Sequence, residues 1–383
     1  MSASASSGPL AGIKVVEFAG IGPGPLCGML LADMGAQVLL LERKEPAGLG
    51  IARARKFDLS HRGKASMALD LKRAADVQLA RLLVNKADVV IEGFRPGTME
   101  RLGLGPEQFQ ASNPGLIYGR LTGFGQFGPL AKVAGHDMNY ISLTGALNAI
   151  GRRGQPSTPP LNLVGDYAGG SMLLAQGILA ALIERGQSGL GQTIDAAMVD
   201  GVSLLLTPYY GLLAAGLWSG ARGENILDGG APFYDVYACA DGRQIAFAAI
   251  EPKFRQRFAA LSGFPEDLLL AGDDKARWPA LRKELTKLFL QRERDEWCRL
   301  LEGEDACVSP VLTADEAARH PHMKARQIFM ESNGITQPAP APRFSRSACA
   351  RPAAPPNAGE GGAALARRWG IPDEAIPQTV ASN

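Results

Sequence analysis

A chain of 383 residues with 46% hydrophobic and 20% charged side chains has the composition of a soluble globular protein, and its length favours two hydrophobic cores over one. The formal net charge of +2, with no face-sized basic run, argues against a nucleic-acid partner and leaves the basic residues as local anion sites. The five cysteines, Cys27, Cys239, Cys298, Cys307 and Cys349, are widely spaced with no Cys-x-x-Cys, so reduced thiols are expected rather than a disulfide framework or a zinc site. Residues 1–8 lack a basic-then-apolar leader, and the terminal Val-Ala-Ser-Asn is no peroxisomal signal; a cytoplasmic protein is expected.

In chain order, residues 13–18 read as a buried strand, followed by the turn Gly20-Ile-Gly-Pro-Gly-Pro25, a helix over 26–35 and a second strand over 37–41. This β-turn-α-β unit begins a parallel sheet. A helix over 71–85, a strand over 87–91, a short helix over 106–112 and a strand over 116–121 continue the alternation to about residue 200. The expected class is therefore α/β, with a large Rossmann-like parallel-sheet domain over 1–200. The longest apolar stretches, 168–184 and 199–218, both contain Gly, and the second contains Pro208; they read as buried helices, not membrane spans. Residues 200–227 are expected as a linker helix, bent at Pro208. Runs at 233–238 and 244–249 flank Asp241-Gly242, a hairpin signal, and helices over 253–261 and 278–290 follow. Residues 228–320 thus form a smaller α+β domain. The Pro/Ala-rich and Gly-rich tail returns over about 325–383 to complete the large domain.

The Gly-rich turn invites a dinucleotide reading, with Glu42 about twenty residues on for a ribose. The fit is imperfect. With Gly20 and Gly22 as the first pair, the third glycine position holds Pro25, and Pro23 and Pro25 lack the N–H groups that would hold a pyrophosphate. Only four histidines exist, His61, His136, His320 and His322, and His320-Pro-His322 lacks metal-ligating partners. His136 lies in Ala134-Gly-His-Asp-Met-Asn-Tyr140, an unusually dense polar group between apolar runs. Asp166 precedes the apolar 168–184 stretch, where an Asp also serves as a helix N-cap. Glu251 ends the strand over 245–250 and precedes Pro252, where it suits a helix N-terminus equally. Arg43, Arg53, Arg55, Arg62, Lys64, Arg95, Arg101 and Arg120 gather in the first domain; Arg43 and Arg95 follow strands, where an α/β sheet places its ligand crevice.

These motifs resemble the family III CoA-transferase superfamily, and most closely its α-methylacyl-CoA racemase branch. The resemblance spans nearly the whole chain. It rests on Gly8-Pro-Leu-Ala-Gly12, Ala19-Gly-Ile-Gly-Pro-Gly-Pro25, Ile91-Glu-Gly-Phe-Arg-Pro-Gly97, Leu102-Gly-Leu-Gly-Pro106, Thr122-Gly-Phe-Gly-Gln126, Ala134-Gly-His-Asp137, Pro160-Leu-Asn-Leu-Val-Gly-Asp166, Gly189-Leu-Gly-Gln-Thr-Ile-Asp195, Gly230-Ala-Pro-Phe-Tyr234 and Ala341-Pro-Arg-Phe-Ser345. It implies an interlocked homodimer, in which Glu251 of one chain approaches His136 of the other. In the transferases, an Asp matching Asp166 is a covalent nucleophile; in the racemases it is a base, partnered by a His matching His136. The pair His136-Asp137 resembles the racemases. The extra residues around 48–55 depart from the family pattern.

The resemblance implies inversion at C2 of a 2-methylacyl-CoA thioester by two-base proton transfer. His136 and Asp166 serve opposite faces of an enolate, Glu251 orients the imidazole, and Asp137 sets local charge while its N–H faces the enolate oxygen. Arg43, Arg62, Lys64, Arg95, Arg101, Gly135 and Tyr140 are the expected CoA contacts. Met138, Met172 and Met198 suit an apolar acyl surface. No metal and no redox cofactor is implied, coenzyme A being part of the substrate. A family III CoA-transferase, a non-enzymatic CoA- or nucleotide-binding scaffold and a nicotinamide dehydrogenase are the alternative readings.

Overall fold

A computed structural model describes residues 7–45, 48, 50–219 and 221–377. Residues 1–6, parts of the 44–60 loop and the terminal Val-Ala-Ser-Asn fall outside them. Two compact units emerge: Met1–Thr144 with Leu161–Leu205 and Phe329–Asn383, and Gly145–Pro160 with Leu206–Ile328.

The first unit is built on six parallel strands: β1 (Lys14–Phe18), β2 (Gln37–Glu42), β3 (Ala65–Ala68), β4 (Val89–Glu92), β5 (Ile117–Thr122) and β6 (Thr193–Ala197), in the order β3-β2-β1-β4-β5-β6. This is the Rossmann order, with its topological switch point between β1 and β4. The strands β1, β2, β4 and β5 are largely apolar and buried because both of their faces are covered. On one face, Leu79, Leu83, Val84 and Met99 pack on Val16, Leu39 and Val90; on the other, Cys27, Leu31, Leu174 and Ile178 pack on Val15, Val38, Val89 and Ile117. The tail closes the first core: Ser66 N–H donates to Glu360 O at 2.8 Å, and Trp369 and Ile371 are buried beside the Gly362–Arg368 helix.

The helix after β1 starts at Pro23 and ends at Asp33. Pro is tolerated there because a first-turn N–H has no helical partner. The second apolar stretch differs from the expectation of one bent, buried linker helix. Two helices, Met198–Leu205 and Thr207–Ala214, break at Leu206. Pro208 has no N–H to extend the first helix, so it sits in the opening turn of the second. No residue of Thr207–Ala214 is buried, and Leu204, Leu205, Tyr210 and Leu217 are all more than half exposed. Apolar composition signals a need for cover without saying that the same chain supplies it.

Leu163–Ser188 is long and apolar enough to cross a bilayer by length and hydropathy. Instead its Leu174, Ala175, Ile178 and Ala181 are buried in the second of the two sheet-flanking cores.

The second unit holds an antiparallel sheet of β7 (Tyr234–Ala238), β8 (Gln244–Ala248) and β9 (Val308–Pro310), ordered β7-β8-β9. The Asp241-Gly242 turn closes the hairpin, with Gly242 at φ 76°. Helices Pro252–Ser262, Trp278–Phe289 and Arg294–Leu301 cover it around Phe247, Phe258, Phe289 and Trp297. Residues 145–160 fold with this unit, although the strand-helix alternation assigned them to the large domain. A short antiparallel hairpin, β10 (Phe329–Ser332) and β11 (Ile335–Pro338), begins the returning tail. It and β9 lacked a clear strand pattern in the sequence.

Candidate active site

The sheet order places the crevice at the C-terminal ends of β1 and β4. The loop after β1 ends at Gly22, which adopts φ 67°. Asp166 lies over that glycine: a Cβ on Gly22 would come within 2.9 Å of Asp166 Oδ2. Asp166 belongs to a π-helical stretch, Leu163–Met172, that runs into the α-helix Leu173–Ser188. Such widened turns recur at functional sites. The stretch is set by close backbone approach, since a Cβ on Gly201 would fall 1.9 Å from Gly169 O. The Ser171 hydroxyl is shared between the carbonyls of Pro23 (2.7 Å) and Asp166 (3.1 Å), tying this turn to the β1 loop.

His136 is exposed and caps the helix Asp137–Leu143 with extended backbone. The Asn139 side chain accepts the His136 N–H at 3.0 Å, and the Asn139 N–H donates to His136 O at 2.8 Å. His136 is close enough to act electrostatically on the Asp166 carboxyl, stabilising its anion. Burial is the larger influence and, with Asp137, raises the Asp166 pKa above the ordinary carboxylate value against His136 and Asn162. Asn162 donates its amide to Asp166 Oδ2 at 3.1 Å. Asn162 stands in the Pro160–Asp166 motif, but an amide carries no titration signal from which a sequence reveals its role.

Asp137 is the second surprise. Its carboxylate is buried, and Oδ2 accepts the backbone N–H groups of both Gly165 and Asp166 at 2.7 Å. It therefore caps the Asp166 turn from another element. Tyr140 is also buried and supports the loop: its hydroxyl donates to Gly135 O, and its ring meets Phe124 edge-on at 4.9 Å. Burial, then Asp166 and Asp137, push its pKa up to about 12, so the hydroxyl keeps its proton. Gly135 is required there, because a Cβ would sit 2.8 Å from the Tyr140 ring.

The expected CoA cations divide sharply. Arg43 follows β2 and Arg95 follows β4; both are exposed, and neither makes an ion pair with a described residue. Arg101 is exposed with one bond, to Thr98 Oγ1 at 3.1 Å. Arg62 and Lys64 do not fit the expectation. Arg62 is buried, forked onto Asp33 at 2.5 and 3.1 Å and bonded to Gln337 and Pro338 O. Lys64 is buried against Glu17 (2.6 Å) and Pro25 O (2.9 Å). Cations so enclosed hold the chain together and present no charge to a ligand. Arg120 is likewise held by Glu92 and Glu100. Glu42, the ribose ligand of the dinucleotide reading, is gripped by Arg55 at 2.8 and 3.1 Å and by the Ser66 hydroxyl. His61 is buried, and burial followed by Lys64 and Arg55 pushes its pKa down to about 3, so it is a neutral structural group. Glu251 is exposed at the N-cap of Pro252–Ser262 in the second unit. Among the described residues no group of three or more His, Cys, Asp or Glu is arranged to hold a metal.

The family model for CoA-transferase family III matches residues 10–361. The chain is 44% identical to mouse α-methylacyl-CoA racemase, over 96% of its own length and 95% of that protein. It is 44% identical to the human α-methylacyl-CoA racemase, over 87% and 86%. Among solved structures, a CaiB/BaiF family protein from Brucella suis superposes with a TM-score of 0.80 at 29% identity, covering 95% of this chain and all of that one. The chain belongs to CoA-transferase family III.

Proposed function

We propose that this protein is an isomerase that inverts C2 of 2-methylacyl-CoA thioesters. The observation that carries the reading is the half-buried Asp166 carboxyl, its pKa raised by burial, beside an exposed His136. A two-base inversion needs one acid and one base that exchange protonation states in each turnover. A carboxyl with a raised pKa is a better proton acceptor than an ordinary one, and an imidazole exchanges protons near neutrality. In one direction, Asp166 takes the α-proton and His136 returns one to the opposite face; in the reverse direction the roles change. The N–H of Asp137, in the first turn of its helix, meets the enolate oxygen. The 44% identity to two α-methylacyl-CoA racemases supports the same substrate class.

Arg43 and Arg95, with Arg101 as a further candidate, hold the phosphates of CoA; the burial of Arg62 and Lys64 against Asp33 and Glu17 favours leaving them out of this role. The reading includes a homodimer, in which the exposed apolar residues Leu204, Leu205 and Tyr210 are covered and Glu251 contributed by the second chain orients His136. The family name favours a second reading, CoA transfer with Asp166 as nucleophile.

One enantiomer of a 2-methylacyl-CoA in D₂O separates the two. Racemisation with exchange of the α-proton, and no acceptor acid present, supports the isomerase. Retention of configuration until a free carboxylic acid is added, followed by movement of CoA to it, overturns the isomerase in favour of the transferase.

A further inference from the structure

The segment Gly145–Pro160 connects the helix that follows His136 to the turn that carries Asp166, yet it folds with the second unit. There Arg152 and Arg153 line a cleft of about 630 Å³ together with Lys275, Arg282, Trp278 and Glu224. The volume is that of a small-molecule site. All of these residues belong to the second unit, and none of them has a part in the function proposed above.

One wall is Ser219 with residues 221–230, which include the start of the Gly230-Ala-Pro-Phe-Tyr234 motif that the chemistry above does not use. It has no helix or strand but is tightly built. Asp228 accepts the N–H groups of Gly223, Asn225 and Gly230 at 2.9, 2.9 and 3.0 Å. The buried Asn225 amide donates to Ala221 O and Asp228, and its oxygen accepts the Ser219 N–H at 2.8 Å. Gly223 and Gly229 have φ of 74° and 81°; a Cβ on Gly223 would fall 2.4 Å from Arg153 N, and one on Gly229 would fall 2.8 Å from Arg152 Nη1. Glycine lets this wall approach the arginines, and a wall already ordered costs little to hold around a ligand.

The cleft is short of negative charge. The guanidinium groups of Arg152 and Arg282 share one carboxylate, Asp235, with Arg152 Nη1 at 2.5 Å. Arg282 also donates to the carbonyls of Gly229 and Gly230, both at 2.8 Å. Arg153 meets Glu224 at 2.9 Å, and Lys275 lies over the Trp278 ring at 5.4 Å. Four cations, Arg152, Arg153, Lys275 and Arg282, thus stand against three carboxylates, Glu224, Asp235 and the Asp228 of the wall. Desolvation and then Arg152 lower the Arg282 pKa, as expected where like charges crowd with too little compensation.

We propose that this cleft binds a small phosphate-bearing polyanion, of the size of inorganic diphosphate or the diphosphate of a nucleotide. Arginine forks match phosphate oxygens in pairs, and Lys275 adds a point charge at the rim.

Equilibrium dialysis of labelled inorganic pyrophosphate against the full chain tests the site. Arg153 and Lys275 are exposed, so Arg153→Ala/Lys275→Ala folds; matching melting temperatures check this. Binding should weaken by about tenfold in that variant and stay near wild type in Arg43→Ala/Arg95→Ala. In wild-type protein, pyrophosphate should also slow amide exchange in peptides covering residues 145–160 and 219–230. Adenosine diphosphate competing with pyrophosphate at least as tightly identifies a nucleotide diphosphate as the ligand; weaker competition identifies the inorganic anion, and both support the site. Absence of saturable binding overturns the proposal. So does loss of binding in Arg43→Ala/Arg95→Ala alone, or binding without protection of those two segments.

Discussion

The Asp137 carboxylate accepts the backbone N–H of Asp166 at 2.7 Å, so the residue next to His136 in sequence fixes the position of Asp166. A second bond, from Gly165 N–H, comes to the same oxygen. One buried carboxylate therefore ties the His136 helix start to the turn of Asp166. Asp137→Ala leaves two buried N–H groups without an acceptor and should cost about 2–4 kcal/mol of stability, by the usual penalty for orphaned donors. Asp137→Asn retains an acceptor and should be milder in stability, while lowering kcat more than it changes KM. Chemical denaturation and steady-state kinetics on the pair check this; equal losses in kcat and full stability in both variants would count against a positioning role.

His136→Ala should remove little stability, because the side chain is exposed and the helix start is held by backbone and Asn139. Turnover should fall by about two to four orders of magnitude, the usual scale for a general acid-base group. Inversion measured by chiral analysis is the readout, and a rate near wild type would remove His136 from the mechanism.

The raised Asp166 pKa makes a pH prediction. The sign follows from linkage: a carboxyl whose folded pKa lies above its unfolded value favours the folded state when protonated and works against it once ionised. Stability from this group is full below the ordinary Asp value of 3.8 and is lost as pH rises through the higher folded value. Asp166→Asn, which stays neutral and can still accept from Asn162, should therefore melt higher than wild type at neutral pH. The advantage should shrink toward zero below pH 3.8. Thermal melts across that range test it, with inversion abolished throughout.

Gly22→Ala should act on the same carboxylate from below. The left-handed backbone costs a side chain about 1–2 kcal/mol. The added Cβ, 2.9 Å from Asp166 Oδ2, would displace that oxygen. Activity should fall further than stability; a fully active variant would show that Asp166 does not work from this position.

Lys64→Met and Arg43→Ala should separate structure from binding. The first leaves Glu17 buried and unpaired, which typically costs about 3–5 kcal/mol, while KM of the surviving enzyme stays near wild type. The second should leave stability unchanged and raise KM for the thioester. Equilibrium unfolding with Michaelis–Menten kinetics distinguishes the two, and the opposite pattern would return Lys64 to the ligand.

Local pattern determined much of this protein. The apolar runs of β1, β2, β4 and β5 announce a parallel sheet because strands covered on both faces have no polar side. Asp241-Gly242 marks a hairpin because glycine takes the left-handed turn without strain. The motif order around His136 and Asp166 identifies the family. What it could not give was partnership. Arg62 and Lys64 are written like Arg43 and Arg95, and only the fold places Asp33 and Glu17 against the first pair and leaves the second exposed. Asp137 looks like a helix-capping acid for its own helix and instead caps the turn of Asp166, 29 residues away. The short strands β3 and β9 owe their form to neighbours already in the sheet, not to pattern. Periodicity is a property of adjacent residues and survives in the sequence; the pairing of a buried charge depends on which distant group the folded chain brings to it.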